Sequence, residues 1–220
     1  MTASISTIVQ AIRNAAAGAN GLLVPVSGGS DSALCFWLCS QAFPRKTVAV
    51  HAGSSLREEA WFRATGPLEL VDTPGEHLER EEMRWARFLA AALAGSAWLV
   101  GSRNRTEDEL GTYSLASRVA TYLPIVGVWK SDVQRLCVEA GVPASIIASS
   151  LRADPDCGRP SELAEIPFED IETLLRVRAG EMPDASLSRL SPAQRDYLDA
   201  ILARNAFKKR LPTRGPAFER

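Results

Sequence analysis

The chain has 220 residues, of which 46% are hydrophobic and 23% charged, with a formal net charge of −1. This balance predicts one α/β domain with a short appendage and argues against nucleic-acid binding through bulk charge. Residues 1–12 lack the apolar core of a signal peptide, and no stretch approaches the roughly 18 apolar residues of a membrane span, so we expect a cytoplasmic protein without a membrane partner.

The first quarter of the chain alternates predicted helices and strands. A helical face over residues 5–17 precedes an apolar strand at 22–26, a helix at 33–42 and a second apolar run at 47–52. Strand, helix and strand in this order form a βαβ unit of a parallel sheet. Pro25 lacks a backbone donor, so we expect it near the end of its strand or at a local irregularity.

The alternation continues along the chain. Further strands are predicted at 68–71, 97–100 and 123–128, with a long helix at 79–94 between the first two. The predicted fold is a Rossmann-like α/β fold, a five-stranded parallel sheet with helices on both faces and a short C-terminal helical extension. We place the α/β domain at residues 1–180, with a C-terminal helix and basic tail packed on it at 181–220.

The junction between the first strand and its helix reads Ser27-Gly28-Gly29-Ser30-Asp31-Ser32. Glycines permit φ > 0 and bring backbone N–H groups close to a ligand, while the helix start adds its positive dipole end. With the three hydroxyl groups, this segment suits a phosphate chain, and Asp31 then requires a cation such as Mg²⁺ beside the phosphate. An ordinary helix-capping turn is the alternative.

Three more candidates lie where predicted strands end, the edge at which open α/β sheets bind ligands. His51 either contacts a nucleotide base or hydrogen-bonds the strand end. In the polar run 101–107, Glu107 either completes a magnesium site with Asp31 or belongs to a helix start. Lys130 is placed to reach a phosphate, or it is a surface lysine whose stem alone is buried.

The four cysteines show no metal-binding spacing. Cys35 and Cys39 lie four residues apart on a predicted helix, which favours a buried apolar role. Cys157 lies in a turn-rich loop beside Arg159. It is either an inert loop thiol or a nucleophile.

The Ser27 to Ser32 segment resembles the SGGxDS loop of the ATP-pyrophosphatase superfamily. Other blocks, in the same order, resemble the ammonia-dependent NAD synthetase family: residues 101–107 are similar to its G-T-x-N-R-S-E block, 123–133 to its L-P-I-x-x-L-x-K-x-x-V block, and 207–212 to its basic tail. The resemblance spans most of the chain. It implies an adenine nucleotide alpha hydrolase-like fold and a homodimer.

The resemblance also implies a site. Asp31 and Lys130 would be catalytic, and Asp31 and Glu107 would hold Mg²⁺. The resemblance implies that Ser27, Gly28, Gly29, Asp31, Ser32 and Lys130 bind ATP. From their places in the chain, we expect Ser30, His51 and Arg105 to belong to the same ATP site. The substrates would be ATP, ammonia and a carboxylate such as deamido-NAD, and the products AMP, pyrophosphate and an amide.

Two alternatives stay open at this point. Residues 116–121 lack the acids that the family carries in its acceptor segment, so the acceptor is open. A superfamily sulfur transferase would use Cys157 as its nucleophile. A nucleotide-binding homologue would have altered acceptor specificity or no turnover.

Overall fold

A computed structural model describes residues 4–71, 81–150 and 166–210. Within these ranges, strands and helices alternate over the first half, and helices follow. The strands are β1 (Leu22–Pro25), β2 (Thr47–Ala52), β3 (Leu68–Val71) and β4 (Trp98–Leu99). The helices are α1 (Ile5–Ala15), α2 (Ser30–Ala42), α3 (Glu59–Thr65), α4 (Glu81–Ala94), α5 (Arg105–Leu110), α6 (Lys130–Glu139), α7 (Ala144–Ser149), α8 (Phe168–Arg178) and α9 (Pro192–Asn205). Short 3₁₀ helices lie at Leu115–Val119, Asp184–Arg189 and Ala206–Arg210.

The described strands form a parallel sheet in the order β3-β2-β1-β4. Leu22 of β1 is paired with Thr47 on one side and with Trp98 on the other, so β1 is central. β1 ends at Pro25, as predicted. Because the strands run the same way, the segments that follow β1, β2 and β4 meet at one edge of the sheet.

The predicted five-stranded sheet is wrong in one strand, because the described residues form four. Residues 123–128 do not add a fifth strand; Tyr122 makes a single parallel bridge with Val100. Pro124 then has no N–H to donate, and the N–H of Val128 donates to the carbonyl three residues earlier at 2.9 Å, in a local turn. Val128 is nevertheless buried. The apolar run therefore predicted burial correctly and backbone conformation incorrectly.

Helices cover both faces of the sheet. Alternate residues of a strand point to opposite faces, and the residues on each face pack against helices. Leu22 and Val24 pack in the cluster that contains residues of α1 and α2. Leu23 and Leu99 pack with Phe88 of α4 in a second cluster. The parallel sheet thus lies between two helical layers.

A third apolar cluster joins α5, α8 and α9, and includes Leu110, Trp129 and Leu198. Helix α8 lies before residue 180 and packs here with the C-terminal elements. The domain boundary at residue 180 stays a prediction, and the tail beyond residue 210 lies outside the described ranges. In the parts of the chain that the structure describes, no helix combines the length and apolarity needed to cross a bilayer.

Candidate functional site

The segment between β1 and α2 forms a tight turn at the carboxyl edge of the sheet. Gly28 has φ +79°, in the left-handed region, and a Cβ atom there would lie 3.2 Å from the Cβ of Arg57. Gly29 is the N-cap residue of α2 and makes no side-chain cap. Both glycines therefore leave the start of α2 free of side-chain bulk, which is the geometry that suits a bound anion.

Serine hydroxyl groups shape this turn. Ser32 Oγ accepts from the N–H of Ser27 at 3.2 Å and donates to the carbonyl of Gly29 at 3.0 Å. Ser150 Oγ accepts from the N–H of Ser30 at 3.0 Å, so the segment after α7 also contacts the start of α2. These bonds fix the turn from both sides.

Asp31 and Lys130 meet beside the turn. The Lys130 ammonium group donates to Asp31 Oδ2 and, at 2.9 Å, to Ser30 Oγ. The Lys130 side chain is 2% exposed and that of Asp31 is 17% exposed. The surface-lysine alternative is therefore wrong. A buried cation beside a helix start adds positive charge where an anion would bind.

A buried carboxylate holds the start of α6, which carries Lys130. Glu172 of α8 accepts from Thr106 Oγ1 at 3.0 Å and from the N–H of Ser131 at 2.9 Å. Thr106 Oγ1 in turn accepts from the N–H of Lys130 at 3.0 Å. Because the Thr106 hydroxyl group and the Glu172 carboxylate satisfy the first two N–H groups of α6, the backbone that carries Lys130 is held in place.

Glu107 does lie at a helix start, as one of its two interpretations predicted. Asn104 is the N-cap residue of α5, and it forms a capping box with Glu107. Asn104 Nδ2 also donates to Asp31 Oδ1 at 2.9 Å. The two acids predicted as magnesium ligands are thus linked through one residue.

The oxygen donors of the site fit Mg²⁺ that is bound together with ATP. In the described ranges no group of three or more His, Cys, Asp or Glu side chains is placed to hold a metal. Mg²⁺ bound with ATP commonly takes one or two carboxylates and completes its shell with phosphate oxygens and water. Asp31 and Glu107, beside a turn whose geometry suits an anion, fit that requirement. A site built from protein ligands alone does not fit.

The two remaining candidates have other contacts. His51 Nδ1 lies 2.7 Å from the carbonyl of Val26, and Nε2 lies 3.1 Å from that of Ser55, so His51 hydrogen-bonds the end of β1. Arg105 pairs with Glu181 and lies 4.1 Å over the ring of Trp129. The role of both in ATP binding stays a prediction.

The described cysteines are buried in the core, as expected for Cys35 and Cys39. Burial raises the pKa of the Cys39 thiol to about 12. Burial, followed by the nearby Asp31 carboxylate, raises the pKa of Cys137 to about 12. These thiols stay neutral near pH 7 and are poor nucleophiles. Cys157 lies outside the described residues.

Sequence reasoning missed the residues that support the site: Asn104, Thr106, Ser150 and Glu172. Asn104 had a readable signal, because Asn followed three residues later by Glu is the capping-box spacing. Ser150 and Glu172 had no such signal, since each reaches the site from a segment that is distant in sequence.

The structure thus brings this turn and the buried Lys130 together at the carboxyl edge of a parallel α/β sheet. No protein-family model matches the chain. It is 28% identical to the NH3-dependent NAD+ synthetase of Trichlorobacter lovleyi over 89% of this chain and 82% of that protein. It is 26% identical to that of Methanosarcina mazei, over 89% and 90% respectively.

Among solved structures, the NH3-dependent NAD synthetase from Campylobacter jejuni superposes with a TM-score of 0.75 at 16% identity, over 96% of this chain and 97% of that chain. At that identity the superposition establishes a shared fold. Together with the sequence matches, it confirms the resemblance that the motifs indicated: the chain is similar to the ammonia-dependent NAD synthetases.

Proposed function

We propose that the protein is an ATP-dependent carbon–nitrogen ligase that adenylates a substrate carboxylate and then forms an amide with ammonia. The observation that carries the proposal is the buried Lys130 beside Asp31 at the turn that starts α2. This arrangement places a cation, a carboxylate and the start of α2, whose N-cap residue Gly29 has no side chain, within one site. The relatives named above support the same reaction class.

In the proposed reaction, the substrate carboxylate attacks the α-phosphorus of ATP. A new O–P bond forms, the bond between the α-phosphorus and the bridging oxygen breaks, and pyrophosphate leaves with that electron pair. Ammonia then attacks the acyl carbon and displaces AMP, and its extra proton passes to solvent. Deamido-NAD or a related acid is the proposed acceptor.

The residues of the turn serve this reaction by binding and orientation. The backbone of Gly28 and Gly29 and the hydroxyl groups of Ser27, Ser30 and Ser32 surround the phosphate chain. Lys130 balances the charge that develops as pyrophosphate leaves. Bound Mg²⁺, held by Asp31 and Glu107, would supply further charge neutralisation on the phosphate oxygens.

His51 and Arg105 belong to the proposal as nucleotide contacts only. We propose a homodimer, with ATP, ammonia and the carboxylate as small-molecule partners, and a cytoplasmic location where ATP and ammonia are supplied. The chemistry requires positioning and charge neutralisation more than a dedicated acid or base.

The test measures AMP and pyrophosphate release from Mg-ATP while deamido-NAD and ammonium are omitted in turn. The expected result is release that requires both, together with formation of NAD. Release that needs a different carboxylate would identify another acceptor. Saturable ATP binding with no AMP release under any of these conditions would contradict the ligase proposal and favour a nucleotide-binding protein.

A further inference from the structure

Asn104 contacts both acids of the proposed magnesium site. Its side chain is 0% exposed. The amide nitrogen Nδ2 donates to Asp31 Oδ1 at 2.9 Å, and the amide oxygen Oδ1 accepts from the N–H of Glu107, also at 2.9 Å. The backbone N–H of Asn104 points at the Glu107 carboxylate, with 3.4 Å between N and Oε2. One residue therefore bonds to two acids on different helices.

The orientation of this amide follows from its partners. An ionised carboxylate only accepts hydrogen bonds, so Asp31 must face the NH₂ group of Asn104. The backbone N–H of Glu107 only donates, so it must face the amide oxygen. The reversed orientation would place two donors together and two acceptors together. The bonding pattern thus requires a residue with one donor and one acceptor.

Helix capping alone does not require that pair. An N-cap residue needs an oxygen acceptor, which Ser, Thr and Asp provide as well as Asn. The amide nitrogen is the part of Asn104 that capping does not use, and it reaches a residue 73 positions away in the sequence. A buried donor that bonds to a single distant carboxylate indicates a second role.

The two oxygens of Asp31 have different neighbours. Oδ2 accepts from the charged Lys130, and Oδ1 accepts from the neutral Asn104. A neutral donor fixes the direction of a carboxylate without adding a second positive charge beside it. Groups that orient metal ligands in this way commonly change metal affinity about 10- to 100-fold when they are removed.

We propose that Asn104 is a positioning residue that holds Asp31 and Glu107 in the arrangement that binds the magnesium ion of Mg-ATP. The proposal rests on the proposed function, since it takes ATP and Mg²⁺ as ligands. It predicts that metal binding depends on the amide nitrogen of Asn104 in addition to the cap. Exchange of Asn104 for a residue that caps but cannot reach Asp31 separates the two roles.

Asn104→Ser is that variant, because serine caps as well as asparagine but is too short to reach Asp31. Asn104→Thr serves if the serine variant folds poorly. The control is Ser191→Ala, which removes the N-cap of the other capping box, at the start of α9, from an exposed residue. The readout is Mn²⁺ binding by electron paramagnetic resonance in the presence of α,β-methylene-ATP, which cannot be cleaved at the reacting bond.

The expected result is a Mn²⁺ dissociation constant about 10-fold or more above wild type for Asn104→Ser, with unchanged circular dichroism and a wild-type constant for Ser191→Ala. If Asp31→Ala abolishes Mn²⁺ binding while Asn104→Ser binds Mn²⁺ as wild type does, the positioning role of Asn104 is overturned. Wild-type Mn²⁺ binding by Asp31→Ala itself would overturn the metal site, and with it the positioning role. The binding assay needs no amide formation, so loss of turnover alone cannot mimic either result.

Discussion

The ammonium group of Lys130 and the carboxylate of Asp31 form an ion pair that is largely removed from solvent, at 2% and 17% side-chain exposure. Lys130 begins α6 and Asp31 lies in the first turn of α2, so the pair joins two helix starts. Glu172 and Thr106 accept from the first N–H groups of α6, whereas the N-cap residue of α2 is Gly29, which makes no side-chain cap. The start of α2 and the ammonium group of Lys130 beside it are therefore the positive elements of the proposed phosphate site.

Replacement of Lys130 by methionine should abolish this charge with little change in volume. We expect AMP release to fall by about 100-fold or more, because charge stabilisation of the leaving group is lost. The free energy of unfolding should fall by about 1–3 kcal/mol, since Asp31 loses a charged donor. Steady-state AMP assays and urea unfolding measure the two effects. Lys46→Met, at an exposed position, is the control. Wild-type turnover by Lys130→Met would contradict the role of this lysine.

The glycine turn gives a second prediction. Gly28→Ala forces an alanine into φ +79° and places its Cβ 3.2 Å from that of Arg57. Both effects disturb the turn, so we expect ATP affinity to fall about 10-fold and stability to fall by about 1–2 kcal/mol. Isothermal titration with Mg-ATP and thermal unfolding measure these changes. Gly18→Ala, where a Cβ meets nothing within 4 Å, should behave as wild type. Equal behaviour of the two variants would show that the turn tolerates a side chain.

The sequence predicted the features that depend on residues close together in the chain. The Ser27 to Ser32 segment has the composition of a turn that leads into a helix, and β1 does end at Pro25. The prediction of a fifth strand was wrong because an apolar run indicates burial, and the burial of Val128 does not require a strand. Glu172 could not be predicted to reach α6, because that contact depends on how two helices pack.

Glu172 carries a third prediction. In Glu172→Gln the amide keeps the shape of the side chain but replaces one acceptor oxygen with an NH₂ donor. In one orientation that donor faces the Thr106 hydroxyl group and the N–H of Ser131, and in the other it faces the Ser131 hydroxyl group. We expect stability to fall by about 1–3 kcal/mol. AMP release should fall as well, since the start of α6 positions Lys130. Urea unfolding and AMP assays on the same samples test this.

The control for this change is Glu169→Gln, which makes the same substitution at an exposed position of the same helix. It should leave both quantities within error of wild type. If Glu172→Gln matched this control in stability, the buried carboxylate would not hold α6. A loss of stability with full AMP release would limit Glu172 to a folding role.

The last prediction concerns the core thiols. Burial raises the pKa of Cys39 and Cys137 to about 12, against 9.0 for an ordinary thiol. Because the thiolate is the reactive form, iodoacetamide at pH 8 should label both thiols slowly in the folded Cys157→Ser variant and completely in guanidinium. A pKa raised by folding stabilises the fold below pH 9.0, and this contribution is lost as pH rises towards 12. Mass spectrometry of labelled peptides measures the rates. Rapid labelling of Cys39 in the folded protein would contradict its placement in the core. The same Cys157→Ser variant also tests the reaction class, because loss of its AMP release would favour sulfur transfer over amide formation.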